Sequence, residues 1–403
     1  MLYLNHTGLP GGAEIALSRL LGAIDRERIT PLVVFGDDGP AVEMVKQNGV
    51  EAIVAPLRKV IRDMRKDTLR FNAFLNLKLA ALMVAYSMKI ARIARRRGIH
   101  LIHTNTVKAH VYGALAGQFA GLPVVWHVRD CVNRSYFPRA AVNSVRFLAR
   151  MGPKHVIGVS RWVMEQLNLN KYVSSSTVIP DGLPEAQLCC GVGGTLDPTP
   201  RKGAWIGMIG RIARWKGQHV FLVAAARIVK AGHDVNFVIA GAPLFGEEEY
   251  EAELRRQVVN LGLASRVEFL GFTRDIPGVL RRLNILVHAS ITGEPFGQVI
   301  VEGMAAGRPV IATRGGGVPE IITHGETGLL TEMGDVQGLA RGVIFLLENP
   351  QFATCLGQAG LEHVRQKFKA SVSARKVESV YESLFRDQRI DLLGRDSRLV
   401  RVR

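Results

Sequence analysis

Short runs of β-branched and other apolar residues alternate with longer stretches of helical periodicity along nearly the whole chain, the pattern of βαβ units and parallel sheets. In the first half, strands are predicted at 2–5, 31–35, 52–55, 101–103, 124–127 and 155–159, with another short one at 177–179. The clearest helical pattern runs over 77–97. Arg95, Arg96 and Arg97 place cations on its last turn and Gly98 follows, a C-terminal signal. The alternation restarts with strands at 204–209, 236–240, 267–270, 285–288 and 309–313, and helices at 218–231, 247–261, 298–306 and 336–348.

Between the two series lies 184–202, which lacks periodicity and contains Pro184, Gly191, Gly193, Gly194, Pro198 and Pro200. It reads as a linker. The predicted class is therefore α/β, with two Rossmann-like doubly wound parallel-sheet domains at 1–183 and 203–385. The last helix is free to pack back on the N-terminal domain, and 386–403 is expected as a basic tail, frayed from about Gly394. Ligands of open parallel sheets gather at the carboxyl ends of the strands, so two such domains are expected to face a cleft.

Composition narrows the class. The chain has 403 residues, enough for two or three domains with cores that need no staples, and 47% hydrophobic with 22% charged residues is ordinary for a folded protein. The four cysteines, Cys131, Cys189, Cys190 and Cys355, form no CxxC pair and indicate neither a zinc site nor a redox couple. The longest strongly apolar stretch, 79–88, is about half of the roughly 20 residues a spanning helix needs. Met1 runs directly into a strand without a charged leader, so a cytoplasmic protein is expected.

Charge adds a partner. Lys and Arg number 52 against 35 Asp and Glu, a formal net charge of +17, which points to an anionic ligand or surface. The window 56–97 alone holds 12 basic residues against Asp63 and Asp67. Its start mixes Arg58, Lys59, Arg62, Arg65 and Lys66 with Leu, Val, Ile, Met and Phe. Such a segment suits an anionic membrane surface or a phosphate-bearing acceptor; a solvated helix whose Arg stems cover apolar surface is the plainer alternative. No aromatic-interleaved basic module suggests nucleic acid.

The candidate chemistry lies beyond strand ends. Glu294-Pro295-Phe296-Gly297-Gln298 follows the strand at 285–288, and Glu302 comes after seven intervening residues. Gly297 fits a helix start, where backbone N–H groups favour a phosphate, and Glu302 on the second turn is placed for a ribose hydroxyl. Gly210-Arg211 and Lys216-Gly217 follow the strand at 204–209, one cation as a fork and one as a point charge suited to a diphosphate. Neither a Walker P-loop nor a GxGxxG fingerprint is present. Gly315-Gly316-Gly317-Val318-Pro319-Glu320 follows another strand, and Gly11-Gly12-Ala13-Glu14 opens a helix after the first. Trp126-His127 and His103-Thr104-Asn105 end two strands of the first half. Taken singly, each of these has a structural explanation as a turn, an exposed Glu or a buried His.

Together and in this order they resemble the retaining glycosyltransferases of family 4, "glycosyl transferases group 1", with the GT-B fold. The match covers the EPFGxxxxE donor signature throughout, the GRxxxxKG element, the GGxPE loop, the GGAE loop, the HTN-like element, Ser160 of the "VS" strand end and Asp181 in place of Asn in the IPNG turn. The resemblance implies transfer of a sugar from a nucleoside diphosphate sugar, UDP- or GDP-linked, to a hydroxyl of a glycan or lipid-linked acceptor, in cell-envelope, exopolysaccharide or lipopolysaccharide assembly. It implies Glu294, Arg211, Lys216 and His127 as catalytic residues, and Gly11, Gly12, Phe296, Gly297, Gln298, Glu302, Gly316 and Gly317 as donor contacts, the Gly316-Gly317 loop through its amides. No metal or other cofactor is implied, and no DxD triplet occurs in the chain. Docking on the inner face of the cytoplasmic membrane is expected through the 56–97 window. A nucleotide-sugar 2-epimerase of the same fold and a non-catalytic sugar-nucleotide or membrane-binding module are the alternatives.

Overall fold

A computed structural model describes residues 1–62, 73–134, 138–169, 175–189, 203–244 and 246–399. The chain divides into two compact units, Met1–Gly182 with Ala370–Arg403, and Leu183–Lys369. Thirteen strands are seen among the described residues. The first unit holds β1 (Leu2–Asn5), β2 (Leu32–Phe35), β3 (Glu51–Val54), β4 (Ile102–Thr104), β5 (Val124–Val128), β6 (His155–Gly158) and β7 (Ser176–Val178). The second holds β8 (Ala204–Ile209), β9 (Val235–Ala240), β10 (Val267–Gly271), β11 (Ile285–His288), β12 (Val310–Thr313) and β13 (Leu329–Thr331).

Their order is β3-β2-β1-β4-β5-β6-β7 in one sheet and β10-β9-β8-β11-β12-β13 in the other. Among the described residues the ladders are parallel, as in β1 with β4 and β8 with β11. Strands β1, β2, β5, β6, β11 and β12 are buried along their whole length, which explains their unbroken apolar or mixed runs. The partly exposed β3, by contrast, lies at a sheet edge. Each sheet reverses its order once, between β1 and β4 and between β8 and β11, and ligands of open α/β sheets bind at such switch points.

Local signals set the helix starts. Ser160 accepts a hydrogen bond from the Val163 N–H at 3.2 Å, and Asp275 and Asp335 accept from Gly278 and Gly338 at 2.8 Å each. In the second unit, Phe221 of the helix Gln218–Lys230 meets Phe237 of β9 edge to face at 5.8 Å.

Two expected boundaries move. The C-terminal domain ends at Lys369, not at 385, because the helix beginning at Ala370 belongs to the first unit. Ala374, Val377, Tyr381 and Leu384 recur at three- and four-residue spacing and are buried with Tyr3, Leu17 and Leu21. Glu378 accepts from the Asp25 N–H at 2.9 Å, and Ser373 donates to the Pro180 carbonyl at 2.7 Å. The same helix continues to Leu399, past the fraying expected from Gly394, since one Gly costs a helix only about 1 kcal/mol. Within the expected linker, Glu185–Cys189 is a short helix; 190–202 lies outside the described residues.

Because Val377 is fully buried, Val377→Asp would place an unpaired carboxylate in the first core. It is expected to cost several kcal/mol. Calorimetry should show the transition of the first unit lost or lowered while that of the second persists.

Candidate active site

In the second unit, the loops after β8 and β11 meet at the switch point. The Ile291 N–H donates to the Trp215 carbonyl at 2.9 Å, tying one loop to the other. Gly217, at φ +80, is where the chain turns into the following helix, and a Cβ there would sit 2.0 Å from the Ala289 oxygen. This close approach requires glycine.

Glu294 is the centre of the site, 4% exposed. Lys216 Nζ is ion-paired with its Oε1, and Ser290 Oγ donates to the same oxygen at 2.9 Å. His288 Nε2 lies 3.2 Å from the other oxygen, Oε2. Burial pushes the Glu294 carboxyl upward, but the Lys216 and His288 charges outweigh it and hold the group far below the usual carboxylate range. Its backbone is pinned as well. Glu294 bridges Gly316, and its carbonyl accepts from the Gly317 N–H at 2.8 Å. Gly316 adopts φ +65, and a Cβ there would lie 2.0 Å from the Glu294 oxygen.

Around this centre stand the other expected donor residues. The Lys216 ammonium lies 4.4 Å from the Trp215 ring centroid and the Arg211 guanidinium 5.8 Å, so one indole carries both cations. Gly297, at φ +116, caps the helix Gln298–Ala305, with Gln298 its first residue and Glu302 half-buried on the second turn. Phe296 is buried with its ring 5.8 Å from that of Phe368, which makes it an anchor of the loop. The Gly317 amide is engaged by the Glu294 carbonyl, so that N–H holds the glutamate.

The first unit carries a polar cluster at its own switch point. Leu4, Thr104 and Trp126 share a register row, so Asn5, Asn105 and His127 follow together just beyond it. Gly11 precedes, and Gly12 opens, the helix Gly12–Ala23. Asn5 Nδ2 donates to the Thr7 carbonyl at 2.6 Å and to Glu14 at 2.9 Å, while Asn105 Nδ2 donates to Asn5 Oδ1 and to the Ala13 carbonyl, each at 3.0 Å. These amides grip the Gly11-Gly12 loop on both sides. Arg129 continues the chain, donating to Asn105 Oδ1 and, through Nε, to Asp181 at 2.9 Å. Asn5, Arg129 and the Asp181 pairing were not anticipated. The available signal was the parity of Tyr3/Asn5, His103/Asn105 and His127/Arg129 on three strands.

His127 is buried, and neither ring nitrogen has a hydrogen-bond partner among the described residues. Burial first, then Arg129, His103 and His110, keeps it neutral. His103 is occupied structurally, with Nδ1 2.7 Å from the Tyr381 hydroxyl. No group of three or more His, Cys, Asp or Glu is placed to hold a metal among the described residues.

In the basic window, Arg62 is paired with Asp37 at 3.0 Å and Arg97 with Glu51, so these cations are partly neutralised within the unit. Arg58 and Lys59 are exposed. Arg65 and Lys66 lie outside the described residues.

The two sheets, the paired Glu294 and Lys216 and the glycine turns define a GT-B-type glycosyltransferase scaffold. The family model "Glycosyl transferases group 1" matches residues 198–363, and "Glycosyl transferase 4-like domain" matches 11–182. The chain belongs to the group 1 glycosyltransferases. It is 31% identical over 301 residues to the phosphatidyl-myo-inositol mannosyltransferase of Mycobacterium leprae, covering 74% of this chain and 70% of that protein. It is 32% identical over 194 residues to the lipopolysaccharide core biosynthesis mannosyltransferase LpsB of Rhizobium meliloti, covering 47% of this chain and only 54% of that relative's length. The crystal structure of Anabaena HepE in complex with UDP-glucose superposes with a TM-score of 0.81 at 28% identity, covering 95% of this chain and 99% of that one.

Glu14 behaves oppositely to Glu294. It is buried with Asn5 as its hydrogen-bond partner, and burial, opposed by that bond and reinforced by Asp130, raises its carboxyl to about 7. A folded-state value above the unfolded one means the folded chain binds the extra proton, so stability falls as pH rises from about 4.5 to about 7. Glu14→Gln should abolish this slope, worth about 3 kcal/mol at pH 8. Urea unfolding of both proteins at pH 5 and pH 8 measures it.

Proposed function

We propose that the chain is a retaining glycosyltransferase that moves a sugar from a nucleoside diphosphate sugar to a hydroxyl acceptor in cell-envelope, exopolysaccharide or lipopolysaccharide glycan assembly. The observation that carries this is the buried Glu294 joined to Lys216, beside Arg211 and the helix start at Gly297, at the switch point of the second sheet. The UDP and UDP-glucose held by the HepE structures, and the mannosyl transfer named for the relatives, support a nucleotide-sugar donor.

In this reading Arg211, Lys216 and the helix start neutralise the charge that grows on the departing diphosphate, the role a metal ion takes in other transferases. Glu302 holds the ribose and Glu294 the sugar hydroxyls, supported by Gly297, Gln298 and Gly316. In the first unit, His127 with its two unpartnered nitrogens is assigned a sugar hydroxyl, and the Gly11-Gly12 loop the approach of donor and acceptor. The anomeric carbon–oxygen bond to the diphosphate breaks and a bond to the acceptor oxygen forms on the same face. The acceptor proton passes to the departing phosphate oxygen.

A thermal-shift panel of UDP-, GDP- and ADP-sugars should give one positive donor, with about 2.7 kcal/mol of added stability at 100 times its Kd. Lys216→Ala should remove most of that shift. Near-normal transfer by both Lys216→Ala and Glu294→Ala would overturn the assignment.

The acceptor side is proposed to dock on the inner face of the cytoplasmic membrane. The helix Ala73–Arg96 exposes Leu77, Val84 and Met88 beside Lys78, Lys89, Arg92 and Arg96, close to exposed Val60, Arg58 and Lys59. Apolar tips among cations suit an anionic lipid surface. No helix of the described residues is long and apolar enough to cross a membrane. Replacing Arg58, Lys59 and Lys89 by Gln should weaken co-sedimentation with phosphatidylglycerol vesicles by about fivefold per site while leaving nucleotide binding intact.

A further inference from the structure

Glu294 has a second cation that the transfer reaction as described does not use. His288 ends β11, 3% exposed, and touches three polar groups. Its Nε2 lies 3.1 Å from Ser290 Oγ and 3.2 Å from Glu294 Oε2, and its Nδ1 lies 3.4 Å from Thr313 Oγ1. Each hydroxyl carries one proton. Ser290 gives its proton to Glu294 Oε1 at 2.9 Å, and Thr313 gives its proton to the Ser290 carbonyl at 2.8 Å. Both hydroxyl oxygens can therefore only accept from the ring, so both ring nitrogens donate. His288 is braced by Thr313 on one side and bonded to the carboxylate on the other.

A buried carboxylate with one cation would not need this. Lys216 alone would compensate Glu294, and Lys216 is also the long, flexible point charge assigned to the donor's diphosphate. When it turns to that phosphate, Glu294 would be left in a buried site without its partner, and the loop that Glu294 anchors through Gly316 and Gly317 would lose its reference point.

We propose that His288 is a positioning residue that keeps hold of the Glu294 carboxylate while Lys216 transfers from that carboxylate to the diphosphate of the donor. The inference rests on the reading of Lys216 as a diphosphate ligand. His288 itself touches neither donor nor acceptor; it acts through Glu294. The Lys216–Glu294 pair is then the resting form of the site, and the His288–Glu294 pair persists through both forms.

The test uses the full chain labelled with 15N-histidine, with UDP, GDP and ADP as probes. The His288 signals, assigned by their loss in His288→Gln, should show two protonated ring nitrogens in the free protein, unchanged when the diphosphate that binds is saturating. In parallel, His288→Ala should leave the Kd for that diphosphate within about twofold and lower kcat for the matching sugar donor about 10²-fold, as misplacement of a positioned group does. His288→Gln, which keeps one donor toward Glu294, should recover part of the loss. A neutral His288 ring in the diphosphate-bound protein, or an unchanged kcat in His288→Ala of normal Tm, would overturn the positioning role and leave the donor site standing. If none of the three diphosphates binds the unmodified protein, the donor reading falls and this inference falls with it. The measurement on the unmodified protein decides the matter even where His288→Ala does not fold.

Discussion

A carboxylate removed from water must be met by charge and hydrogen bonds, and the second unit is organised around meeting that demand at Glu294. Lys216 comes from the loop after β8, His288 from the end of β11, Ser290 from the loop between, and Thr313 from β12. The carboxylate thus clamps three adjacent strands at their carboxyl ends. The glycines follow from the same constraint. Gly217 lets the loop after β8 reach the loop after β11, and Gly316 lets its backbone lie directly on that of Glu294. A Cβ at either position would push apart the segments that bring Lys216 to its partner.

The first unit meets the same topological situation with amides first and an ion pair behind them. At its switch point Asn5 and Asn105 relay hydrogen bonds, and the Arg129–Asp181 ion pair closes the far end. Glu14 has the Asn5 amide beside it, so burial raises it; Glu294 has Lys216 and His288, so burial loses. Two buried carboxylates, one in the helix after β1 and one on the loop after β11, are driven in opposite directions by their neighbours.

Much of the fold was legible because the central strands are buried on both faces and read as short apolar blocks, while helices such as Gln218–Lys230 and Val336–Glu348 announce themselves by apolar periodicity. β13, with only Leu329–Thr331, was too short to carry a pattern. The last helix was counted with the second domain by chain order and left free to pack on the first, because a stripe of Ala374, Val377 and Tyr381 shows that a partner exists and not which one. At the site, spacing along the chain located Glu294 and Glu302, but the Lys216–Glu294 pair joins residues 78 apart and is set by which strands are neighbours. His288 and Arg129 escaped notice for a related reason. Each is one polar residue at a strand end, and its meaning lies in the strand beside it. The Arg62–Asp37 pair shows the same limit for charge: a count over a window does not reveal which cations are already matched.

The resting Lys216–Glu294 pair also bears on selectivity. On the proposed reading, an anion can take Lys216 only by displacing Glu294 from it, so a bare phosphate gains one contact and loses another. A nucleoside diphosphate sugar differs because it brings replacements: phosphate oxygens for Arg211 and the helix start, ribose for Glu302, and sugar hydroxyls for the Glu294 oxygen that Lys216 vacates. The internal ion pair therefore acts as a competitor that only the complete donor outbids, and specificity arises as a difference between two bound states rather than from attraction alone. His288 makes that exchange reversible, since the carboxylate never has to search for its place when Lys216 returns.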